Sequence, residues 1–470
     1  MNRFFARLAG PVLFLLVVAL PAPAGMSEPA KWCAAVTLWI AVWWITEAVH
    51  TSVTALLPLV LFPLAGVMPI KNVAPEYANE IIYLFIGGFI FGKAIERWNL
   101  HRRIALRMVH WLGSRPSTTL LGFMVATAFI SMWISNTATA VMMTPVAIAV
   151  AGGTTSNFSK SLLLGVGYSC SIGGLGTLVG TPTNAIFVSF VRQKMEQEVS
   201  FAQWFMVGFP IMLLLLVACW LLLLWLFPLR DHQQSAADST DYIRQELKSL
   251  GPLSPPEIRL MIVFGLIILG WISGSLLWYR WWPNINDTVL IVGGAVLLFL
   301  VPAKGWKGET LMDWATAERI QWGIIVLFGG GLALAKGFDQ SGLAGWLGGL
   351  LQGLNHLPVP VIILAVLVLV VLLSEIASNI ATAAMMMPVL AALATAIGIH
   401  PFGLLMTATL AASIGFGLPV ATAPNTIVYG SGFLTVRDMA RAGFLLDAVA
   451  ILILLAAVYF LIPLVWGIQL

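Results

Sequence analysis

Charge is what this 470-residue sequence has least of, with Asp, Glu, Lys and Arg together making up 9% of it. The surface of a soluble globular domain alone calls for about 25% charged residues, so that class is excluded. Cysteine is almost absent, and the three present, Cys33, Cys170 and Cys219, lie in apolar runs without metal-ligand spacing. They are read as packing residues. No cluster of His, Cys or carboxylate recurs along the chain, which leaves no catalytic constellation and argues against an enzyme. The net charge of +4 is small, and its distribution follows topology, so nucleic acid is not an expected partner.

Hydrophobic residues fill 60% of the chain. A span needs about 20 apolar residues to cross the hydrocarbon core, and about eleven such stretches can be drawn. They run near 10–24, 32–50, 52–69, 80–97, 160–193, 203–228, 257–277, 285–302, 321–338, 402–432 and 444–466. Two further apolar segments, 117–150 and 358–392, carry polar residues in their middle and read as helix-turn-helix hairpins. Leu100–Val109 alternates apolar and basic positions at helical spacing, which predicts a helix along the membrane interface. Trp278, Trp281 and Trp282 cluster at a span end, as interfacial aromatics do. The long polar connection, 229–256, reads as a cytoplasmic linker.

With the N-terminus placed in the cytoplasm, most Lys and Arg fall on the cytoplasmic side, including Arg97, Arg102, Arg103, Arg107, Arg115, Arg230, Arg244, Lys304, Lys307, Arg319, Arg437 and Arg441. This is the positive-inside pattern, and it sets the C-terminus in the periplasm of a bacterial inner-membrane protein. Arg3 and Arg7, the run Pro11–Leu20 and Ala22-Pro23-Ala24 also fit a cleavable signal peptide. Its removal would demand an external start for the helix from Lys31 to Val49, so the segment is read as a first helix.

The strongest signal is an internal repeat. The offset that carries Phe85 onto Phe328 also carries Gly87, Gly88, Lys93, Glu96 and Leu100 onto Gly330, Gly331, Lys336, Asp339 and Leu343. Without a gap it carries Ser131, Ser135, Asn136, Ala138, Thr139, Met142 and Pro145 onto Ser374, Ser378, Asn379, Ala381, Thr382, Met385 and Pro388. An odd number of full crossings separates the two hairpins, so they enter the membrane from opposite faces. The expectation is therefore an all-α polytopic membrane protein in one domain, 1–470, with two inverted repeat cores at 80–228 and 321–466. Inverted repeats with interrupted helices are the architecture of secondary transporters.

Each hairpin is followed by a span rich in Gly and Pro, Ser171–Asn184 in one repeat and Ser413–Asn425 in the other. Neither can be a continuous helix. Non-helical backbone at membrane depth is tolerated where it is buried in protein or lines a cavity, and bound cations are one partner for its carbonyls. The tips complement it: Ser and Asn supply neutral oxygens, and helix N-termini present N–H groups to an anion. The main intramembrane ionisable candidates are Glu47, Lys93, Lys336, Asp339 and Glu375, each a functional candidate by its depth.

The tips Ser135-Asn136-Thr137 and Ser378-Asn379-Ile380, with the run Ser413–Val428, make nearly the whole chain resemble the divalent anion:sodium symporters, carriers of dicarboxylates, citrate and sulfate. The resemblance implies a homodimer in the lipid bilayer, with a transport domain that slides as an elevator against a scaffold. It implies one sodium site at Ser131, Ser135, Asn136 and the carbonyls around Gly180, and a second at Ser374, Ala377, Asn379 and Ala421. Anion contacts would come from Ser135, Asn136, Thr137, Thr181, Ser378, Asn379 and Thr422. The chain departs from the dicarboxylate carriers' pattern at Ile380, at Thr181-Pro182-Thr183-Asn184 and at Thr422-Ala423-Pro424-Asn425, all close to the implied anion. The expected activity is sodium-coupled transport of a small dianion, a four-carbon dicarboxylate such as succinate, malate or fumarate. Sodium-independent exchange, and sulfate or citrate transport, are the alternatives on the same fold.

Overall fold

The computed structural model describes residues 3–112, 115–229, 235–279, 281–282, 284–305 and 308–468; Arg230 and Lys307 of the basic set lie outside them. Among the described residues, seven helices are long and apolar enough to cross a membrane, and shorter apolar helices complete the bundle.

The N-terminal pair is α1 (Arg3–Ala19) and α2 (Glu28–Thr46), which pack with the ring of Phe14 against Trp32 and Trp39. Helix α1 begins earlier than the apolar run and stops before Pro21 and Pro23, which cannot continue it. The stretch 52–69, expected as one span, is broken into α3 (Thr51–Thr54) and α4 (Leu57–Leu64), with α5 (Ile70–Val73) following. Gly66, in the left-handed region at φ 67, ends the apolar stretch just after α4.

The first repeat consists of α6 (Glu80–Arg97), α7 (Leu100–Leu112), the hairpin α8 (Pro116–Ser131) and α9 (Asn136–Val150), and the broken span α10 (Asn157–Leu175) and α11 (Pro182–Met195). It closes with α12 (Phe201–Leu226). Between the repeats lie α13 (Ser235–Ser249), α14 (Pro255–Ser273), α15 (Asp287–Leu300) and α16 (Trp314–Ala317). The second repeat returns the same order as α17 (Trp322–Ser341), α18 (Leu343–Leu351), the hairpin α19 (Val359–Ile376) and α20 (Asn379–Ile397), the broken span α21 (Pro401–Ala412) and α22 (Ala423–Gly430), and α23 (Val436–Trp466). Phe85 and Phe328, equivalent by sequence, meet edge to face with centroids 5.3 Å apart. That contact of equivalent residues is one of the places where the two halves meet.

The arms of the first hairpin hold 16 and 15 residues, which at 1.5 Å each rise roughly 24 and 22 Å, less than the ~30 Å hydrocarbon core. The arms of the second hold 18 and 19 residues, roughly 27 and 28 Å by the same rise, and both are among the helices long and apolar enough to cross. What pairs the two hairpins is that their tips line one cavity.

The connection at 229–256 carries the helix α13 among its described residues. Helix α13 packs on α7, with Arg102 bonded to Glu246. Arg103, 6% exposed, donates to Glu257 and to the carbonyls of Leu250, Gly251 and Pro252. One buried guanidinium thus ties the amphipathic α7 to the end of the linker and to the first turn of α14.

Candidate functional site

A cavity of about 400 Å³ opens between the two repeats. Its lining includes Ser135, Asn136 and Thr137 of the first tip, Gly180, Thr181 and Pro182 of the first break, Ser378, Asn379 and Ile380 of the second tip, and Ala421, Thr422 and Ala423 of the second break. These are the starts of α9, α11, α20 and α22. Four helix N-termini therefore converge on one space, each presenting the positive end of its dipole. All seven residues expected to touch the anion lie on this lining.

The oxygens beneath the tips repeat almost atom for atom. Ser131 Oγ lies 2.7 Å from Asn136 Oδ1 and 2.7 Å from the Cys170 carbonyl. Ser374 Oγ lies 2.8 Å from Asn379 Oδ1 and 2.8 Å from the Ala412 carbonyl. A serine hydroxyl has one proton to donate, so in each triad one of the two acceptors goes without it. Three neutral oxygens with too few protons between them are of the chemical kind that suits a hard cation. Both serines are fully buried, below the cavity floor. Ala377 is also buried and lies off the lining, in extended backbone between α19 and the tip.

Glycine and asparagine hold the broken spans in place. A Cβ on Gly180 would stand 2.6 Å from the Gly174 carbonyl, and one on Gly174 would stand 3.0 Å from Asn136 Oδ1, so only glycine lets the loop close against the tip. Asn184 Nδ2 donates to the carbonyls of Gly174 (3.1 Å) and Thr177 (2.8 Å). Asn425 Nδ2 does the same for Gly415 (3.1 Å) and Leu418 (3.0 Å). These two asparagines are the last residues of the Gly- and Pro-rich runs, and their recurrence at matching places was the available signal for a stapling role.

The repeats then diverge. In the second, Glu375 accepts from the backbone N–H groups of Gly417 (2.7 Å) and Leu418 (2.8 Å), and Asp447 of α23 accepts from Phe416 N–H (3.2 Å). Both carboxyls are buried. Met132 stands at the equivalent position in the first repeat, where Thr177 donates to its carbonyl at 2.5 Å. Asp447 lies inside the span drawn at 444–466, so its depth was a signal in the sequence while its partner was not. The departure at Thr183 does not reach the cavity, because its buried hydroxyl pairs with Ser413 across the repeats at 2.6 Å. The departure at Ile380 does, and puts an apolar wall opposite Thr137. Ser171 lines the cavity as well, and its buried hydroxyl has no partner among the described residues.

Of the five intramembrane ionisable candidates, four have partners. Lys93 pairs with Glu96 at 2.6 Å, Lys336 with Glu76 at 2.6 Å, Asp339 with Lys194, and Glu375 with the loop amides. Glu47 lines the cavity. No Lys or Arg lies on that lining, so an anion held there is compensated by helix ends and by whatever cations the oxygen triads hold.

Across residues 1–467 the sequence matches the family described as the sodium:sulfate symporter transmembrane region. It is 41% identical to the sodium-dependent dicarboxylate transporter SdcS of Staphylococcus saprophyticus, over 100% of this chain and 93% of that protein. Against the SdcS of Staphylococcus aureus strain MRSA252 the identity is 40% with the same coverage. Two solved structures are similar in fold. MtrF of Neisseria gonorrhoeae, described with a class of antimetabolite efflux pumps, superposes with a TM-score of 0.59 at 12% identity, over 95% of this chain and 96% of its own. The YdaH transporter of Alcanivorax borkumensis, described as having an unusual topology, gives 0.56 at 11%, over 94% and 99%. At such identities the likeness is one of architecture alone.

Proposed function

From the premise that this chain belongs to the sodium:sulfate symporter transmembrane family, we propose that it is a sodium-coupled importer of a four-carbon dicarboxylate. The observation that carries the reading is the single cavity bordered by four helix N-termini, with a neutral oxygen triad beneath each tip and no cationic side chain on its wall. The relatives named as sodium-dependent dicarboxylate transporters supply the substrate class.

On this reading one sodium ion sits at Ser131, Ser135 and Asn136 with carbonyls near Gly180, and another at Ser374, Ala377 and Asn379 with carbonyls near Ala421. Each ion satisfies the acceptors that one serine proton cannot, and each brings a positive charge to the floor of the anion site. The dianion is held by the hydroxyls of Ser135, Thr137, Ser378, Thr181 and Thr422, by Asn136 and Asn379, and by the N–H groups of the helix starts. Ser135 already accepts from Ala138 N–H at 3.3 Å, which leaves its proton to donate outward. Because the sodium ions complete the electrostatics of the anion pocket, binding of either favours binding of the other, and that mutual dependence is the coupling.

Transport follows by an elevator motion in which the hairpins and broken spans move as one body past a scaffold. The amphipathic α7 and its counterpart α18 act as connecting arms. The working unit is a homodimer in a bacterial inner membrane, with the N-terminus in the cytoplasm and the C-terminus in the periplasm. The repeat cores are 80–228 and 321–466, joined by the cytoplasmic connection 229–256.

The reading is tested by uptake of labelled succinate into proteoliposomes, with sodium or choline outside and with or without internal succinate. Sodium-stimulated uptake into empty vesicles is expected. Uptake indifferent to sodium but dependent on internal dicarboxylate would instead establish exchange. Competition by malate, fumarate, citrate and sulfate ranks the anions.

A further inference from the structure

Glu47 is the one ionisable residue lining the cavity among the described residues, and its carboxylate has no ion-pair or hydrogen-bond partner among them. It is also in an unusual backbone position. It ends α2 in the left-handed region, at φ 46 and ψ 32, where helices commonly place glycine and where a side chain is strained. Strained residues persist where their surroundings over-determine them, and here both flanks are fixed. The Trp44 indole donates to the Thr51 carbonyl at 3.1 Å, Arg7 Nε donates to the Ala48 carbonyl at 3.2 Å, and the His50 imidazole caps α3 by accepting from Ser52 N–H at 3.3 Å. The turn would form more easily around glycine, so the carboxylate itself is what the position retains. Glu47 shares the cavity lining with the tips and with Phe85, Phe89, Gln321 and Ile324.

We propose that Glu47 is a charge-selecting residue for the transported anion, a carboxylate on the scaffold wall that lets the anion be carried only together with its cations. The inference rests on the anion-site reading above. Glu47 is exposed, so salt screens its field beyond a Debye length of about 8 Å, and the repulsion acts on a bare dianion that passes within that distance of the carboxylate. The same dianion with two sodium ions is a neutral load that passes the wall without that repulsion. Glu47 thus sharpens the sodium requirement without being a sodium ligand, and it acts on passage more than on the resting site.

The test is a sodium titration of succinate uptake in proteoliposomes at constant ionic strength, using the full chain and its E47Q, E47G and E47D variants. In E47Q the half-saturating sodium concentration is expected to fall at least about threefold, with uptake at low sodium raised accordingly. E47G, which suits the left-handed turn, should shift the same way and carries the test if E47Q folds poorly. E47D keeps the charge and should keep the wild-type sodium dependence. Sodium-dependent thermal stabilisation should be retained in all three. An unchanged half-saturating sodium concentration in E47Q and E47G overturns the inference while leaving the anion site standing, and so does an E47D shift equal to that of E47Q. A wild-type protein that takes up no dianion at any sodium concentration overturns the anion-site reading, and this inference with it.

Discussion

Replacing Asn136 or Asn379 by alanine removes one oxygen from a triad whose other members are a buried serine hydroxyl and a backbone carbonyl. Loss of a polar partner to a charged group costs about 1.5–3 kcal/mol, which corresponds to roughly a 10- to 150-fold loss of sodium affinity at that site. Sodium that binds only the folded protein stabilises it by RT ln(1 + [Na⁺]/Kd), about 2.7 kcal/mol for a site at 100 times its Kd. A 100-fold loss of affinity cuts that contribution to about 0.4 kcal/mol. The assay is the thermal unfolding midpoint of the purified protein in sodium against choline. Wild type should show a sodium-specific rise, and each single variant a smaller one. Asn136→Ala combined with Asn379→Ala should show almost none, with the choline midpoint little changed. A full sodium-specific rise in both single variants and in the double variant would refute the assignment of these triads to sodium.

Three further outcomes follow from the geometry. Thr137 keeps the third polar group of its tip while Ile380 does not, so Thr137→Val should raise the KM for succinate several-fold and Ile380→Val should leave it nearly unchanged, as read from initial uptake rates. Arg103→Ala strands the buried Glu257 carboxylate and frees the end of the linker, which should cost about 3–5 kcal/mol and lower the midpoint equally in sodium and in choline. Asn425→Ala removes both donations that hold the second broken span, so the choline midpoint should fall and transport should be lost even at saturating sodium; retained transport would show that the loop keeps its shape unaided.

The repeat and its interrupted helices were legible in the sequence because their signals are local and doubled. Ser135-Asn136 and Ser378-Asn379 recur in register, and Gly and Pro concentrate where the two spans break. What the sequence hid depends on distant partners. Thr183 looks like a departure at the anion site, yet its hydroxyl is turned to Ser413 in the other repeat. Asp447 looks like a stray charge in an apolar run, yet it accepts from the Phe416 amide of the second break. The composition of 229–256 marked a linker, and the docking of α13 on α7 is what composition does not reveal. Glu47 was visible as an intramembrane charge. Its lack of a partner and its place on the cavity wall came only with the fold.

The central claim is that sodium and a dicarboxylate share one cavity and move together. It is tested most directly by accumulation of labelled succinate in proteoliposomes that begin with equal succinate on both sides and an inward sodium gradient as the only driving force. The account predicts accumulation above the external concentration that collapses when the sodium gradient is dissipated by an ionophore. Succinate that merely equilibrates, whether or not the sodium gradient is present, would contradict it.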